Sequence, residues 1–417
     1  MSLGPAGYPG RLAIGVFRDR DKRLTTILLI VFVQMVGAAL ILPILPLYAQ
    51  GEFGLSPQAI TLLAASFFAA QFIAGPYLGR LSDRLGRVPV LIVSQIGTVI
   101  AFVALGTAQT AWVLYAARIF DGITGGNIIV AQAYVTDVTP AEKRSEALGL
   151  IFAVFGVSFF IGPALGGLAA QTFGPRIPYI LAATAALATL LITWRVLDES
   201  IEPGSAEAGD AVGPKLTPRL VLSSSPIMLT LSLGFIGQCV LGLLIATYAL
   251  FGEAVLFSTW EAESVGFGVG LILAVVGLSQ ILTQGLLLRP ALHRFGELRL
   301  IGVGAMLRAA GMGLIAITSS PWISTAGIAM FAVGGGLTVP PTQSTATKAV
   351  PGSLRGGILG LYQSVASLGT IIATALGGVL FAFDPFLPFR VAALLAIGAL
   401  APAVALRRSY KPLPQDA

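Results

Sequence analysis

Few residues in this chain combine a chemically active side chain with an apolar setting, and those few point to charge and proton handling. In "RIFDGITGG", Arg118 to Gly126, Arg118 and Asp121 stand three residues apart and share one helical face, continued by Gly122 and Gly125. A charged pair within an apolar run is costly unless it faces a polar interior, so the pair should look inward. A carboxylate held there can take up and release a proton, which makes Asp121, with Arg118 as its partner, the leading candidate for a protonation site. The other reading of the same spacing is a structural ion pair. In "LIGVGAMLRAAGMGLIAIT", Leu300 to Thr318, Arg308 is the lone charge at the centre of an apolar helix. Counting from Arg299 at about 1.5 Å per residue places it near the middle of a bilayer. It should therefore bind an acidic group, hold a polar network, or be satisfied by backbone carbonyls or lipid headgroups at a distorted helix.

Enzyme chemistry has little to work with. The chain has one histidine, His293, and one cysteine, Cys239, so neither a metal cluster nor an internal disulfide can be assembled. No paired carboxylates lie within the apolar runs. Neither a cofactor nor a metal is expected, nor is an enzyme.

The elements that must position these residues are membrane helices. Of 417 residues, 56% are hydrophobic and 11% charged, and the mean hydropathy is +0.88. Apolar runs of about 20 residues each suffice to cross a bilayer as a helix, and their length excludes alternating barrel strands. Twelve spans are predicted: Leu24–Tyr48, Ile60–Gly79, Val88–Thr107, Ala111–Tyr134, Ala147–Ala170, Ile177–Leu197, Pro226–Leu250, Val265–Leu288, Leu298–Thr318, Trp322–Thr345, Gly357–Phe381 and Phe386–Leu406. The basic segment before span one resembles the start of a signal peptide, but the following run is too long and lacks a small-residue cleavage site, so it reads as a helix.

Twelve spans put both termini on one side. With that side cytoplasmic, all but Arg118, Arg176, Arg308 and Arg390 of the 25 basic residues fall in cytoplasmic segments, as the positive-inside rule requires. The net charge of +6 is thereby explained without nucleic acid.

The chain also repeats itself. "RSEALGLIFAVFGVSFFIGPALGG" from Arg144 lies without a gap on "RGGILGLYQSVASLGTIIATALGG" from Arg355, and "GPYLGRLSDRLG" from Gly75 on "GLLLRPALHRFG" from Gly285 at nearly the same offset. The predicted fold is an all-α membrane protein, twelve transmembrane helices in two pseudo-symmetric six-helix halves. The expected boundaries are an amino-terminal cytoplasmic segment 1–23, a first half 24–197, a polar Gly- and Pro-rich linker 198–225, a second half 226–406 and a tail 407–417.

"GRLSDRLGRVPVL", Gly79 to Leu91, resembles the signature between helices two and three of the major facilitator superfamily. "RIFDGITGG" and "GPALGG", Gly162 to Gly167, are similar to the fourth- and fifth-helix motifs of its drug:proton antiporter branch. "PILP" ending span one and "AYVTDVTPAEKR" after span four resemble the tetracycline exporters. The first resemblance implies a cytoplasmic gate: Gly79 and Gly86 permit a tight turn, Asp83 meets the amino end of span eleven, where free N–H groups favour an anion, and Arg84 or Arg87 pairs with an acid such as Asp137. Val88 stands where the family commonly has a further basic residue. The second implies proton transfer at Arg118, although Asp121 is not a usual member of that motif. The third implies a bent, close-packed fifth helix built on Gly162, Pro163, Gly166 and Gly167 that biases alternating access; ordinary close packing is the plainer reading.

Helices two, five and eleven line the cavity in that family, so Phe67, Phe68, Phe72, Phe152, Phe155, Phe159 and Tyr362 would as a group suit a lipophilic substrate. The cavity candidates are Gln34, Phe155, Gln238, Arg308, Tyr362 and Gln363. Tetracycline exporters carry acids where Gln34 and Arg308 stand here, so an anionic or neutral substrate is expected. The function that follows is export of small amphipathic molecules from a bacterial cytoplasm, across the inner membrane, by proton-coupled antiport. A carrier of organic anions or lipids without proton coupling, and a membrane sensor or scaffold that does not transport, are the alternatives. The expected partners are a small-molecule substrate, protons and membrane lipid, not nucleic acid, with the protein a monomer.

Overall fold

A computed structural model describes residues 22–125, 127–140, 143–200, 217–351 and 354–409, with the backbone alone at 127, 144–146 and 152. Residues 1–21, most of the linker, the end of the tail, Gly126 and the Phe152 side chain lie outside the described residues.

Among these residues every regular element is helical: α1 (Lys22–Ile41), α2 (Ile44–Phe53), α3 (Pro57–Leu85), α4 (Arg87–Gly106), α5 (Ala111–Thr124), α6 (Asn127–Asp137), α7 (Arg144–Phe173) and α8 (Ile177–Val196) form the first half. After α9 (Pro218–Ser223) the second half comprises α10 (Ser225–Phe251), α11 (Ala262–Leu282), α12 (Leu288–Phe295), α13 (Glu297–Ile315), α14 (Pro321–Lys348), α15 (Arg355–Phe383), α16 (Leu387–Gly398) and α17 (Leu400–Ser409). They make twelve helical segments long and apolar enough to cross a membrane. The protein is a multi-pass membrane protein. Exposed Trp112 and Trp322, and Phe173 and Phe383, lie 210 residues apart in pairs, aromatic rings at helix ends in the manner of an interfacial belt.

Two predicted spans are interrupted. Span one breaks at Leu42 and Pro43 between α1 and α2, because a proline cannot donate the helical hydrogen bond. Span four stops at Gly125 between α5 and α6. Short π-helical turns at Gly252–Leu256 and Thr283–Leu287 interrupt the second half.

The end of the bundle that carries Lys22, Asp198 and Ser409 is the terminal face, and the other the far face. On the terminal face α3 turns into α4 at Gly86, with φ 99°, and α12 into α13 at Gly296, with φ 75°, a region open to glycine and disfavoured for other residues. Gly79 takes no part in the turn: α3 runs on through it to Leu85.

The halves meet toward the far face. A Cβ on Gly167 of α7 would collide with the backbone of Gly266 and Phe267 on α11, and one on Gly378 of α15 with the Pro57 carbonyl and Thr61 on α3. Each half thus presses a glycine of its fifth span onto the start of the other half's second span. The Gly378 N–H donates to Thr61 Oγ1 at 3.0 Å, and Gln171 Nε2 to Ser264 Oγ at 3.0 Å. Gly162 and Gly166 face the other way, onto Ala39 and Leu40 of α1, while the Pro163 carbonyl abuts Gly270. The antiporter-like segment is therefore packed on both sides by backbone, and small residues are required there.

Candidate functional site

Three charged centres carry the chemistry, two in the first half and one in the second. On the terminal face Arg87 is 9% exposed. Its Nη1 lies on Asp83 Oδ1 at 2.5 Å, its Nε on Asp137 Oδ2 at 2.9 Å, and Nη1 also donates to Ser82 Oγ. The backbone N–H groups of Arg87 and Val88 donate to the Glu199 carboxylate at 2.8 and 3.0 Å. An anion at a helix amino end satisfies donors that have no helical partner. Glu199 escapes sequence reading because it follows span six, more than a hundred residues away. Asp83 pairs with Arg87 one turn on. Arg84 is exposed.

The second centre lies inside the first half. Asp121 is 6% exposed and takes Arg118 Nη1 on Oδ2 at 3.3 Å, with the Thr98 hydroxyl of α4 as a further hydrogen-bond partner. The Arg118 guanidinium lies 4.9 Å from the centroid of the Phe67 ring, within cation–π range, and its Nε has no hydrogen-bond partner. Close approach of α5 to its neighbours makes this possible: Gly122 meets the Phe67 carbonyl and Ala70, and Gly97 of α4 meets Thr124.

The third centre is Arg308, 6% exposed. It reaches from α13 toward α10 and α14, where Nη2 donates to the Gly237 carbonyl and the guanidinium sits 4.7 Å from the Phe331 ring centroid. Its Nε has no partner. Tyr362 of α15, itself buried against Gly234, is within its electrostatic reach. The ion pairs among the described residues do not include Arg308. Of the other cavity candidates, Gln34 is buried on α1, Phe155 and Gln238 are half-buried, and Gln363 is exposed. Gln238 follows the residue whose carbonyl holds Arg308. Phe331 was not foreseen, because one aromatic in an apolar helix carries no signal of its own. Among the described residues no cluster of His, Cys, Asp or Glu could hold a metal ion.

Two six-helix halves packed on each other, with buried charges inside each, are the architecture of a membrane transporter. The chain matches the Major Facilitator Superfamily over residues 27–288 and 244–417, and it belongs to that family. It is 32% identical over 367 residues to the "Tetracycline resistance protein, class E" of Escherichia coli, covering 87% of this chain and 88% of that one. It is 27% identical over 386 residues to the "Multidrug resistance protein 2" of Bacillus subtilis (strain 168), covering 91% and 94%. Among solved structures, the peptide transporter POT superposes with a TM-score of 0.76 at 14% identity, covering 94% of this chain and 96% of that one. The nucleoside transporter NupG superposes with a TM-score of 0.75 at 13% identity, covering 94% and 100%. At those identities the likeness is one of fold.

Proposed function

We propose that this protein exports small amphipathic molecules, anionic or neutral, by proton-coupled antiport across a bacterial inner membrane, with the terminal face cytoplasmic. The observation that carries the reading is the buried Asp121, a carboxylate paired through one contact with an arginine whose Nε is left free. A carboxylate so held can exist charged against Arg118 or neutral after taking a proton, and the two states differ in what the arginine must find instead. Relatives named for tetracycline and multidrug resistance support export of drug-like molecules.

Alternating access then has two faces to close. The far face is held by the paired glycine contacts; the terminal face would be held by the Arg87 network, with Asp83, half-exposed, free to reach the amino end of α15 when the halves rock. Arg308 would receive the acidic group of the substrate. A carboxylate or phosphate meeting a guanidinium makes a charge-assisted bond of about 1.5–3 kcal/mol, and none of the ion pairs among the described residues competes for it.

The test is Asp121→Asn in proteoliposomes. Accumulation driven by a pH gradient should be abolished, while counterflow exchange at equal pH persists, because the amide can still accept from Arg118 but cannot titrate. Unchanged uphill transport would exclude Asp121 as the proton carrier. A second reading, an uncoupled carrier of organic anions, is favoured by the unopposed charge of Arg308; it requires the same flux with and without the gradient.

A further inference from the structure

Two tyrosines in the first half carry hydroxyls that packing does not require. Tyr48 of α2 and Tyr179 of α8 are 2% and 0% exposed, and their rings lie 5.1 Å apart. The Tyr179 hydroxyl has no hydrogen-bond partner among the described residues, and the Tyr48 hydroxyl has none but the Arg176 guanidinium at the rim. Buried hydroxyls are ordinarily paired. The second half shows what packing alone asks for: Phe389 stands 210 residues after Tyr179 and stacks on Phe251 with centroids 4.7 Å apart. Nearby Tyr248 keeps its hydroxyl, paired with Ser324 Oγ at 2.8 Å. A phenyl ring fills the equivalent place, and a hydroxyl retained in that core has found a partner.

The tyrosines also occupy a particular line. At the far face Arg176 Nη2 sits 3.4 Å from Glu52 Oε2, both partly exposed, and both charges are within electrostatic reach of the Tyr48 hydroxyl. On the inner side the Tyr179 hydroxyl is within reach of Arg118 and Tyr48. Both rings belong to the same core as Leu114 and Ala117, the latter preceding Arg118 in α5. In order from the surface the groups are Glu52 with Arg176, Tyr48, Tyr179, then Arg118 with Asp121 and Thr98.

We propose that Tyr48 and Tyr179 form the proton route between the far face and Asp121, separate from the path of the substrate. A proton arriving at the Glu52 carboxylate passes to the Tyr48 oxygen as Tyr48 releases its own toward Tyr179. Tyr179 in turn delivers its proton to the Asp121 carboxylate, with water spanning any gap wider than one hydrogen bond. Asp121 ends neutral, and both phenols are restored by rotation of their O–H bonds. The fixed cations Arg176 and Arg118 flank the route and keep an excess proton from residing on either ring. The far face is where the glycine contacts seal the halves together, so protons can reach Asp121 while the substrate path opens to the terminal face. This assignment rests on the proton-coupled reading above.

The experiment uses the full-length protein in proteoliposomes with tetracycline as the probe, following both tetracycline-driven proton flux with an internal pH dye and tetracycline counterflow at equal pH. Tyr48→Phe, Tyr179→Phe and the double variant keep the rings and so the packing. Proton flux should fall by about tenfold or more in the double variant, as for loss of a positioned proton-transfer group, with counterflow unchanged. Tyr248→Phe, which removes a paired hydroxyl of the second half, should leave both rates as they are. Full proton flux in the double variant overturns the route and leaves the proton-coupled reading standing. Counterflow by the wild type with no proton flux at all overturns both.

Discussion

The two halves share a backbone frame and reverse its charges. Gly86 and Gly296 make the same turn 210 residues apart. Beside them Arg87 pairs with Asp137 in the first half, and Glu297, at the place of Arg87, pairs with Lys348 in the second at 2.7 Å. The interior is reversed too. Thr98, partner of Asp121, is answered by Arg308, and Asp121 itself by Phe331. The first half therefore holds a carboxylate that can be neutralised, and the second a cation that cannot. A duplicated scaffold requires only that each buried charge be accommodated, by an ion pair in one half and by an aromatic face and a carbonyl in the other. On the function proposed above, the first half would handle protons and the second would recognise an acidic group.

The symmetric closure at the far face is the part of this comparison most easily broken. Gly378→Val should cut transport by about tenfold or more and cost about 1–3 kcal/mol through overpacking, since its side chain would meet Pro57 and Thr61. Gly167→Val, its counterpart, should do the same. Disulfide formation between cysteines placed at Gln171 and Ser264 reports the closure and should fall in both; an effect confined to one would show that the halves do not close as equivalents.

A smaller effect sharpens the contrast of the interiors. Arg308→Gln should weaken binding of fluorescein, an organic anion, by about tenfold to a hundredfold, the equivalent of about 1.5–3 kcal/mol for a charged hydrogen bond, and leave ethidium, a cation, unaffected. Competition binding to the purified protein measures both. Tight ethidium binding by the wild type, with fluorescein indifferent to the substitution, would remove the anion assignment.

The smallest effect separates the two turn networks. Lys348 is 48% exposed in its side chain and Arg87 10%. Lys348→Ala should therefore cost at most about 1 kcal/mol, whereas Asp137→Ala strips a partner from a buried guanidinium and should cost about 1–3 kcal/mol. Thermal unfolding in detergent ranks them. Equal losses would mean that the reversed pairs are equivalent in energy as well as in position.

Much of this protein was decided by its sequence. Run length and hydropathy require twelve helices, because a backbone in lipid must satisfy its own hydrogen bonds, and the matching segments from Arg144 and Arg355 require two related halves. The spacing of Arg118 and Asp121 places them together, because residues three apart on a helix are neighbours whatever surrounds it. What lay beyond local spacing needed the tertiary structure. Glu199 on the amino end of α4, Phe331 beneath Arg308 and the Gly237 carbonyl that receives it come from distant parts of the chain, and nothing in an apolar helix marks which of its faces will meet a charge. The break at Pro43 was written in "PILP", yet hydropathy carried span one through it. The two tyrosines are the clearest case: in sequence they are ordinary aromatics of a membrane helix, and only the packed core shows that they are buried and adjacent, with the Tyr179 hydroxyl unpaired. Periodicity determines which residues share a helix face, and the docking of one helix on another determines what that face must satisfy.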